Sequence, residues 1–406
     1  MNAFKTVLAV AVLIRLLLVI AVPFGGAVSH RLEGLNDELA HMNYIAYLAD
    51  HRAFPVQVHH AQESGAPDRG DFEYYQPPLY YLLCAPLYAL IERPAALYAC
   101  RLVSFLCGLL SLLVFSRILE GLGCAESTRR QAVAFLALFP CHAYFSALVS
   151  NDSLTWLIGL LLTERLFALY DRTRLAPGAV GRPGAHAVLG LLLALGMLAK
   201  PSMAIFYPVA VFAYGYAFLR TRRTAVIWCG LLALGVSLVV AGPWYLRNVS
   251  LYGSPVPLQV GYGPPREGAI IDRLIHAVRA TARYFWFPMQ HVRPSDAVRL
   301  LRAVGGLIIV AHAVAAFRHL SRKGGLTVKT GTLALLLLLA LTAQMRVAIL
   351  WMAVEARYIF PALAAIVFFL VVPVAGVLKR WGWSERFIWI YFCALALHPY
   401  LFLLFV

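Results

Sequence analysis

The residues best suited to chemistry in this 406-residue sequence sit in short polar islands between long apolar runs. The first island is GLNDELAHMNYIAYLAD, residues 34 to 50, in which Asp37 and Glu38 open a stretch of helical periodicity. Asn36 is a good N-cap, and acidic side chains in a first turn are favoured by the helix dipole. A well-capped surface helix therefore accounts for the pair on local grounds. The spacing supports a second reading. Asp37, His41 and Tyr44 fall at i, i+4 and i+7, on one helical face. A carboxylate presented there can act as general base toward an acceptor hydroxyl.

Further islands follow. FEYYQPPLYYLL (72–83) places Glu73 and Gln76 before two prolines, which fix an extended entry and a sharp helix start; its tyrosines also suit a membrane interface. SNDSL (150–154) puts Asp152 in a tight turn with ordinary turn and N-cap chemistry. LAKPSM (198–203) sets Lys200 at a proline-marked break, and a lysine near bilayer depth is costly enough to be a site candidate. PWYLRN (243–248) and EARYIFP (355–361) supply Arg247 and Arg357. Snorkelling explains any one of these cations alone. Together, the three suit an anionic head group such as a phosphate. Arg15, Arg101 and Arg165 lie inside apolar runs and read as packing partners or snorkellers.

What must position these groups is a set of membrane helices. Hydrophobic residues make up 61% of the chain and charged residues 13%, against roughly 45–50% and about 25% in soluble domains. Recurrent apolar runs of roughly 15–25 residues predict an all-α polytopic membrane protein rather than a barrel, whose strands would be about 10 residues long and alternate. Candidate spans are 6–24, 96–117, 132–149, 153–170, 186–199, 202–219, 225–245, 303–317, 330–352, 358–378 and 387–405, about eleven. The run at 77–91 is short and broken by Pro86, and its assignment is decided by the positive-inside rule. With 77–91 as a re-entrant or surface helix, Arg129-Arg130, Arg172/Arg174/Arg182, Arg220/Arg222/Arg223, Arg318/Arg322/Lys323/Lys329 and Lys379/Arg380/Arg386 all fall on the cytoplasmic side, with the N-terminus. The outer face then collects Asp37, Glu38, Glu73, Asp152, Lys200, Arg247, Glu355 and Arg357.

The predicted organisation is a single transmembrane domain over 1–406. Outer loops span 25–95, carrying juxtamembrane helices, and 246–302, and no soluble C-terminal domain is expected. Within the second loop, IIDRLIHAVRATARYFWF places Ile271, Leu274, Ile275 and Val278 on one helical face and Arg273, His276 and Arg283 on another, as in a helix lying in the interface. The first run has signal-peptide features, but its length and Arg15 favour a retained span.

The net charge of +16 is spread singly between apolar runs, which fits loops facing an anionic leaflet and not a nucleic-acid surface. The seven cysteines show no metal-ligand spacing and read as small buried hydrophobes. There is no P-loop, GxGxxG, HExxH or GxSxG, so ATP-driven transport and serine hydrolysis have no support.

Taken in order, NDELAH, QPPLYYLL, SNDSL, AKPSM, PWYLRN and ARYIFPAL resemble the polytopic C-type glycosyltransferases (GT-C fold). The branch they are most similar to is the bacterial group of protein O-mannosyltransferases and lipid A aminoarabinose transferases. The resemblance implies transfer of a sugar from a polyprenyl (undecaprenyl-type) phosphate donor to a glycan, lipid or protein acceptor, with inversion, at the outer face of a bacterial inner membrane. It carries the catalytic carboxylate onto Asp37, with Glu38 beside it, and a second acidic site onto Asp152. Lys200, Arg247 and Arg357 would hold the lipid phosphate, while His41, Glu73 and Gln76 line the substrate site. Gln76 stands where the aminoarabinose branch has a lysine, and no WWD signature of an oligosaccharyltransferase is present. The resemblance demands no metal, although three outer carboxylates could hold a divalent ion. The rival readings are a transporter or flippase for a lipid-linked sugar, and a non-catalytic subunit that binds one.

Overall fold

A computed structural model describes residues 2–22, 38–57, 73–176, 178, 182–258, 260, 267–286, 296–322, 324–351, 356–398 and 400. It is all-helical, with no strand among these residues. The α-helices are α1 (Asn2–Ala21), α2 (Glu38–His51), α3 (Leu79–Leu90), α4 (Ala95–Gly121), α5 (Glu126–Leu138), α6 (Pro140–Phe145), α7 (Asp152–Leu175), α8 (Pro183–Ala199), α9 (Phe206–Thr221), α10 (Ala225–Tyr252), α11 (Ile270–Trp286), α12 (Asp296–Leu320), α13 (Val328–Trp351), α14 (Leu363–Arg380) and α15 (Glu385–Leu397). Short 3-10 segments at Pro201–Ile205 and Ala356–Ala362 lead into α9 and α14.

Eight helical stretches among the described residues are long and apolar enough to cross a bilayer, fewer than the eleven spans read from the sequence. The difference has identifiable causes. The run at 132–149 is two helices, because Pro140 forces Phe139 into an extended conformation (φ −63°, ψ 120°) and ends α5, as expected before a proline. The run at 186–199 forms α8, which has 17 residues. The run at 387–405 forms α15 only to Leu397, and residues 399 and 401–406 lie outside the described set.

Two buried arginines close helix ends inside this bundle. Arg15 on α1 donates to the Ala137 carbonyl at 2.5 Å and meets His142 Nδ1 at 2.8 Å, across the α5–α6 break. Arg101 on α4 donates to the Val19 and Val22 carbonyls at 2.6 and 3.0 Å, at the end of α1. The last carbonyls of a helix lack intrahelical partners and carry partial negative charge, so a guanidinium is well placed there.

Helix α3 does not cross. Its twelve residues span about 18 Å, short of the roughly 30 Å hydrocarbon layer. It runs antiparallel along the start of α4: the Tyr80 hydroxyl meets Ser104 Oγ at 2.8 Å, and Cys100 Sγ lies 4.0 Å from the Cys84 carbonyl. The QPP entry therefore lies deeper than the α3–α4 connection, on the side where α4 begins.

Two close backbone approaches set the bundle around α7 and α8. A Cβ on Gly159 would lie 2.7 Å from the Pro361 carbonyl oxygen, and one on Gly190 would press into that of Ala233. The first brings the Ala356–Ala362 segment onto α7; the second brings α10 onto α8. At one end of the bundle Arg129 pairs with Glu120 (3.1 Å), Lys329 with Asp171 (2.7 Å), Arg117 with Glu164 (4.0 Å) and Lys379 with Ser127 and Glu385 (3.1 Å each). These belong to the loops and helix ends that the sequence groups as cytoplasmic. The described groups it places on the outer face, Glu38, Glu73, Asp152, Lys200, Arg247 and Arg357, lie at the opposite end.

Candidate active site

The centre of that end is the turn between α6 and α7, which carries the SNDSL motif. Asp152, the first residue of α7, is 1% exposed. Its Oδ1 accepts from Lys200 Nζ at 2.5 Å, and its Oδ2 accepts from Arg357 Nη1 at 3.1 Å and from Ser150 Oγ at 3.0 Å. The Asp152 backbone N–H returns a bond to Ser150 Oγ at 3.2 Å. Pro201 explains the reach of Lys200: the residue before a proline is held extended, here at φ −161° and ψ 138°, so α8 stops at Ala199 and Lys200 leaves the helical path. Asn151 Nδ2 donates to the Ala199 carbonyl at 3.2 Å, which ties the turn to that helix end. Both cations also lie against aromatic faces. Arg357 is 4.9 Å from the Phe145 ring centre, and Lys200 is 5.2 Å from that of Tyr358, separations at which cation–π attraction is felt.

Glu38 opens α2 and is as deeply buried as Asp152. Arg101 holds it by a two-pronged contact, Nε to Oε1 at 2.8 Å and Nη2 to Oε2 at 2.6 Å. Oε1 also accepts from the Val149 backbone N–H at 2.8 Å, three residues before Asp152. Asp37, the other member of the pair, lies outside the described residues, as does Glu355.

A polar wall made by α2 and the start of α3 adjoins this junction. His41 Nδ1 meets the Tyr81 hydroxyl at 2.8 Å, and Tyr44 stacks on Tyr81 with ring centres 3.9 Å apart. The Tyr44 hydroxyl donates to the Gln76 carbonyl at 3.3 Å, and Gln76 Nε2 donates to the Tyr75 hydroxyl at 3.2 Å. Glu73 and Gln76 are both buried. Burial pushes the phenol of Tyr81 up, and the nearby Glu73 carboxylate adds to this. Burial raises Tyr44 too, against an opposing pull from Arg247. Both remain neutral hydroxyls near pH 7, suited to hydrogen-bonding sugar oxygens.

Arg247 is anchored differently from the other two cations. Its Nη2 donates to the Pro55 and Phe54 carbonyls at 2.7 and 3.3 Å, and its guanidinium lies 4.8 Å from a Trp244 ring centre. The same 54–57 segment is held through Gln57, whose N–H donates to the Tyr252 hydroxyl at 3.0 Å and whose Oε1 accepts from the Tyr75 N–H at 3.2 Å. The structure thus joins Asp152, Lys200 and Arg357 directly, and links Glu38 to them through Val149. It sets His41, Glu73 and Gln76 in one adjoining wall and places Arg247 against the 54–55 segment. Among the described residues no three His, Cys, Asp or Glu side chains converge as a metal site. The two described carboxylates at the centre, Glu38 and Asp152, are each paired with cations.

Sequence reasoning left out Arg101 and Ser150, which hold the carboxylates, and Tyr81, which holds His41. A partial signal for Arg101 is present: a buried intramembrane arginine needs a counter-charge, but the spacing does not tell Glu38 from Glu73 as its partner.

No protein-family profile matches the sequence, and no curated protein matches it. Similarity appears among solved structures. ArnT from Cupriavidus metallidurans, bound to undecaprenyl phosphate, superposes with a TM-score of 0.56 at 15% identity, over 94% of this chain and 62% of its own. The Archaeoglobus fulgidus oligosaccharyltransferase tethered with an acceptor peptide gives 0.54 at 13% identity, over 98% and 53%. The same archaeal enzyme, AglB, in complex with an inhibitory peptide and a dolichol-phosphate gives 0.52 at 12% identity, over 98% and 54%. The chain therefore spans about half to three-fifths of these proteins. At these identities the similarity establishes the fold, which is the GT-C architecture that the ordered motifs resemble.

Proposed function

On the GT-C fold, we propose that this chain is an integral membrane glycosyltransferase that moves a sugar from a polyprenyl phosphate to an extracytoplasmic glycan, lipid or protein acceptor. The observation that carries this reading is the convergence of Lys200 and Arg357 on Asp152, at 2.5 and 3.1 Å, at the same end of the bundle as Glu38. Fixed cations there suit a lipid phosphate, and neighbours of the same fold bind undecaprenyl phosphate and dolichol-phosphate.

The reaction is a single displacement at the anomeric carbon, with inversion. Asp37 takes the proton of the acceptor hydroxyl as that oxygen bonds to the sugar, and the bond from the anomeric carbon to the phosphate oxygen breaks. Lys200, Arg357 and Arg247 stabilise the departing lipid phosphate, and stabilising developing negative charge in a water-poor site is a large share of the barrier. Asp152 holds Lys200 and Arg357 in place. His41, Glu73, Gln76 and the neutral phenols of Tyr44 and Tyr81 orient sugar or acceptor hydroxyls, and Glu38 locates the helix on which Asp37 borders. No ATP is needed, because the lipid phosphate is itself the leaving group.

The test uses the full chain in proteoliposomes with a polyprenyl-phosphate sugar labelled in the sugar and an envelope acceptor fraction. Transfer should fall about 100-fold or more in Asp37→Asn, the usual scale for loss of a general base, with donor-lipid binding retained. Transfer at the wild-type rate would remove Asp37 from that role. Donor movement across the bilayer without transfer by the wild-type chain would instead favour a transporter.

A further inference from the structure

We infer that Arg101 is a positioning residue for the transfer reaction, its ion pair with Glu38 fixing the turn that carries Asp152; this rests on the function proposed above. Four segments of chain meet at this pair: the end of α1, the start of α2, α4 and the turn before Asp152. Arg101 Nη1 closes the end of α1 through the Val19 and Val22 carbonyls at 2.6 and 3.0 Å. Its Nε and Nη2 grip both oxygens of Glu38, the first residue of α2. Glu38 Oε1 then accepts from the Val149 N–H at 2.8 Å. One helical turn further along α4, Ser104 Oγ reaches the Ser150 carbonyl at 3.4 Å and is itself paired with Tyr80. The turn bearing Asp152 is thus held at two successive residues, Val149 by Glu38 of α2 and Ser150 by Ser104 of α4, and through Asp152 the same turn sets where Lys200 and Arg357 stand.

Stability alone does not account for such a pair. Both members are 1% exposed, and apolar residues of similar volume often replace a buried ion pair without loss of stability. What apolar packing does not supply is direction. A guanidinium fork on a carboxylate fixes both distance and angle, and a misplacement of about 1 Å at a reacting centre can cost 100-fold in rate. The pair stands where four segments of chain meet beside the cations proposed to hold the leaving phosphate.

The experiment compares wild type, Arg101→Lys and the double variant Glu38→Leu/Arg101→Leu, all reconstituted as full chains. Thermal unfolding, binding of the polyprenyl-phosphate sugar and single-turnover transfer are measured on each. The expected result is a folded double variant whose donor Kd stays within about threefold while kcat falls about 100-fold. Arg101→Lys, which keeps the charge and loses the fork, should also lose kcat with KM for the donor little changed. Arg101→Ala should regain transfer when guanidinium ion is added, in a saturable way. A folded double variant that turns over at the wild-type kcat overturns the inference. Should the double variant not fold, Arg101→Lys decides, and wild-type kcat there overturns it equally. Absence of transfer by wild type removes the functional reading itself and the positioning role with it, whereas equal transfer by wild type and variant removes only the positioning role.

Discussion

At the level of single residues, the centre of the site is a set of buried charges that depend on each other. Asp152 is gripped by Lys200 and Arg357 and is almost wholly excluded from solvent. Removing one partner of such a group leaves the rest buried and uncompensated, at a cost of about 3–5 kcal/mol. Asp152→Asn should therefore lower the unfolding temperature markedly in detergent and abolish transfer. Asp152→Asn combined with Lys200→Met should recover much of that stability, since the charge excess is reduced, yet leave donor binding weak. Isothermal titration with the lipid phosphate, run beside thermal unfolding, separates the two effects. Full donor affinity in the double variant would remove Lys200 from phosphate binding.

Helices and their breaks determine where those charges can stand. Lys200 reaches Asp152 because Pro201 ends α8 one residue earlier, and Arg357 reaches it because Gly159 lets the Ala356–Ala362 segment lie on α7. A methyl group at 159 would sit 2.7 Å from the Pro361 carbonyl, and backbone has little room to yield. Gly159→Ala should cost about 1–3 kcal/mol of stability by overpacking and reduce transfer more than Gly376→Ala, at a half-buried glycine where a Cβ meets nothing within 4 Å. Equal transfer in Gly159→Ala and Gly376→Ala would show that this approach does not position the site. Such breaks were partly legible beforehand. Lys-Pro and Pro-Pro announce themselves through proline's known restrictions, whereas the stop that Pro140 imposes at Phe139 is hidden in the sequence because the run from Ala132 to Cys141 carries no polar side chain.

Across the whole molecule, the bundle has two polar ends, one holding the candidate site and the other a basic network around Arg129, Lys329 and Lys379. The positive-inside rule assigns the basic end to the cytoplasm. A tag inserted at 60–70 should accordingly be labelled by a membrane-impermeant reagent in intact cells, and one at 322–325 only after permeabilisation. The reverse pattern would invert the proposed topology and put the transfer site on the wrong face for an extracytoplasmic acceptor.

The sequence by itself determined that the chain is a helical membrane protein and that Glu38, Glu73, Asp152, Lys200, Arg247 and Arg357 share one end. Apolar runs have to cross, so each crossing flips the side of the next loop, and that information is one-dimensional. Only the tertiary structure decided who pairs with whom. Glu38 meets Arg101 63 residues away, and Asp152 meets Arg357 205 residues away. Such partners are chosen by how helices pack in the plane of the membrane. Hydrophobic periodicity carries almost no record of that choice, because lipid-facing and helix-facing surfaces are apolar alike.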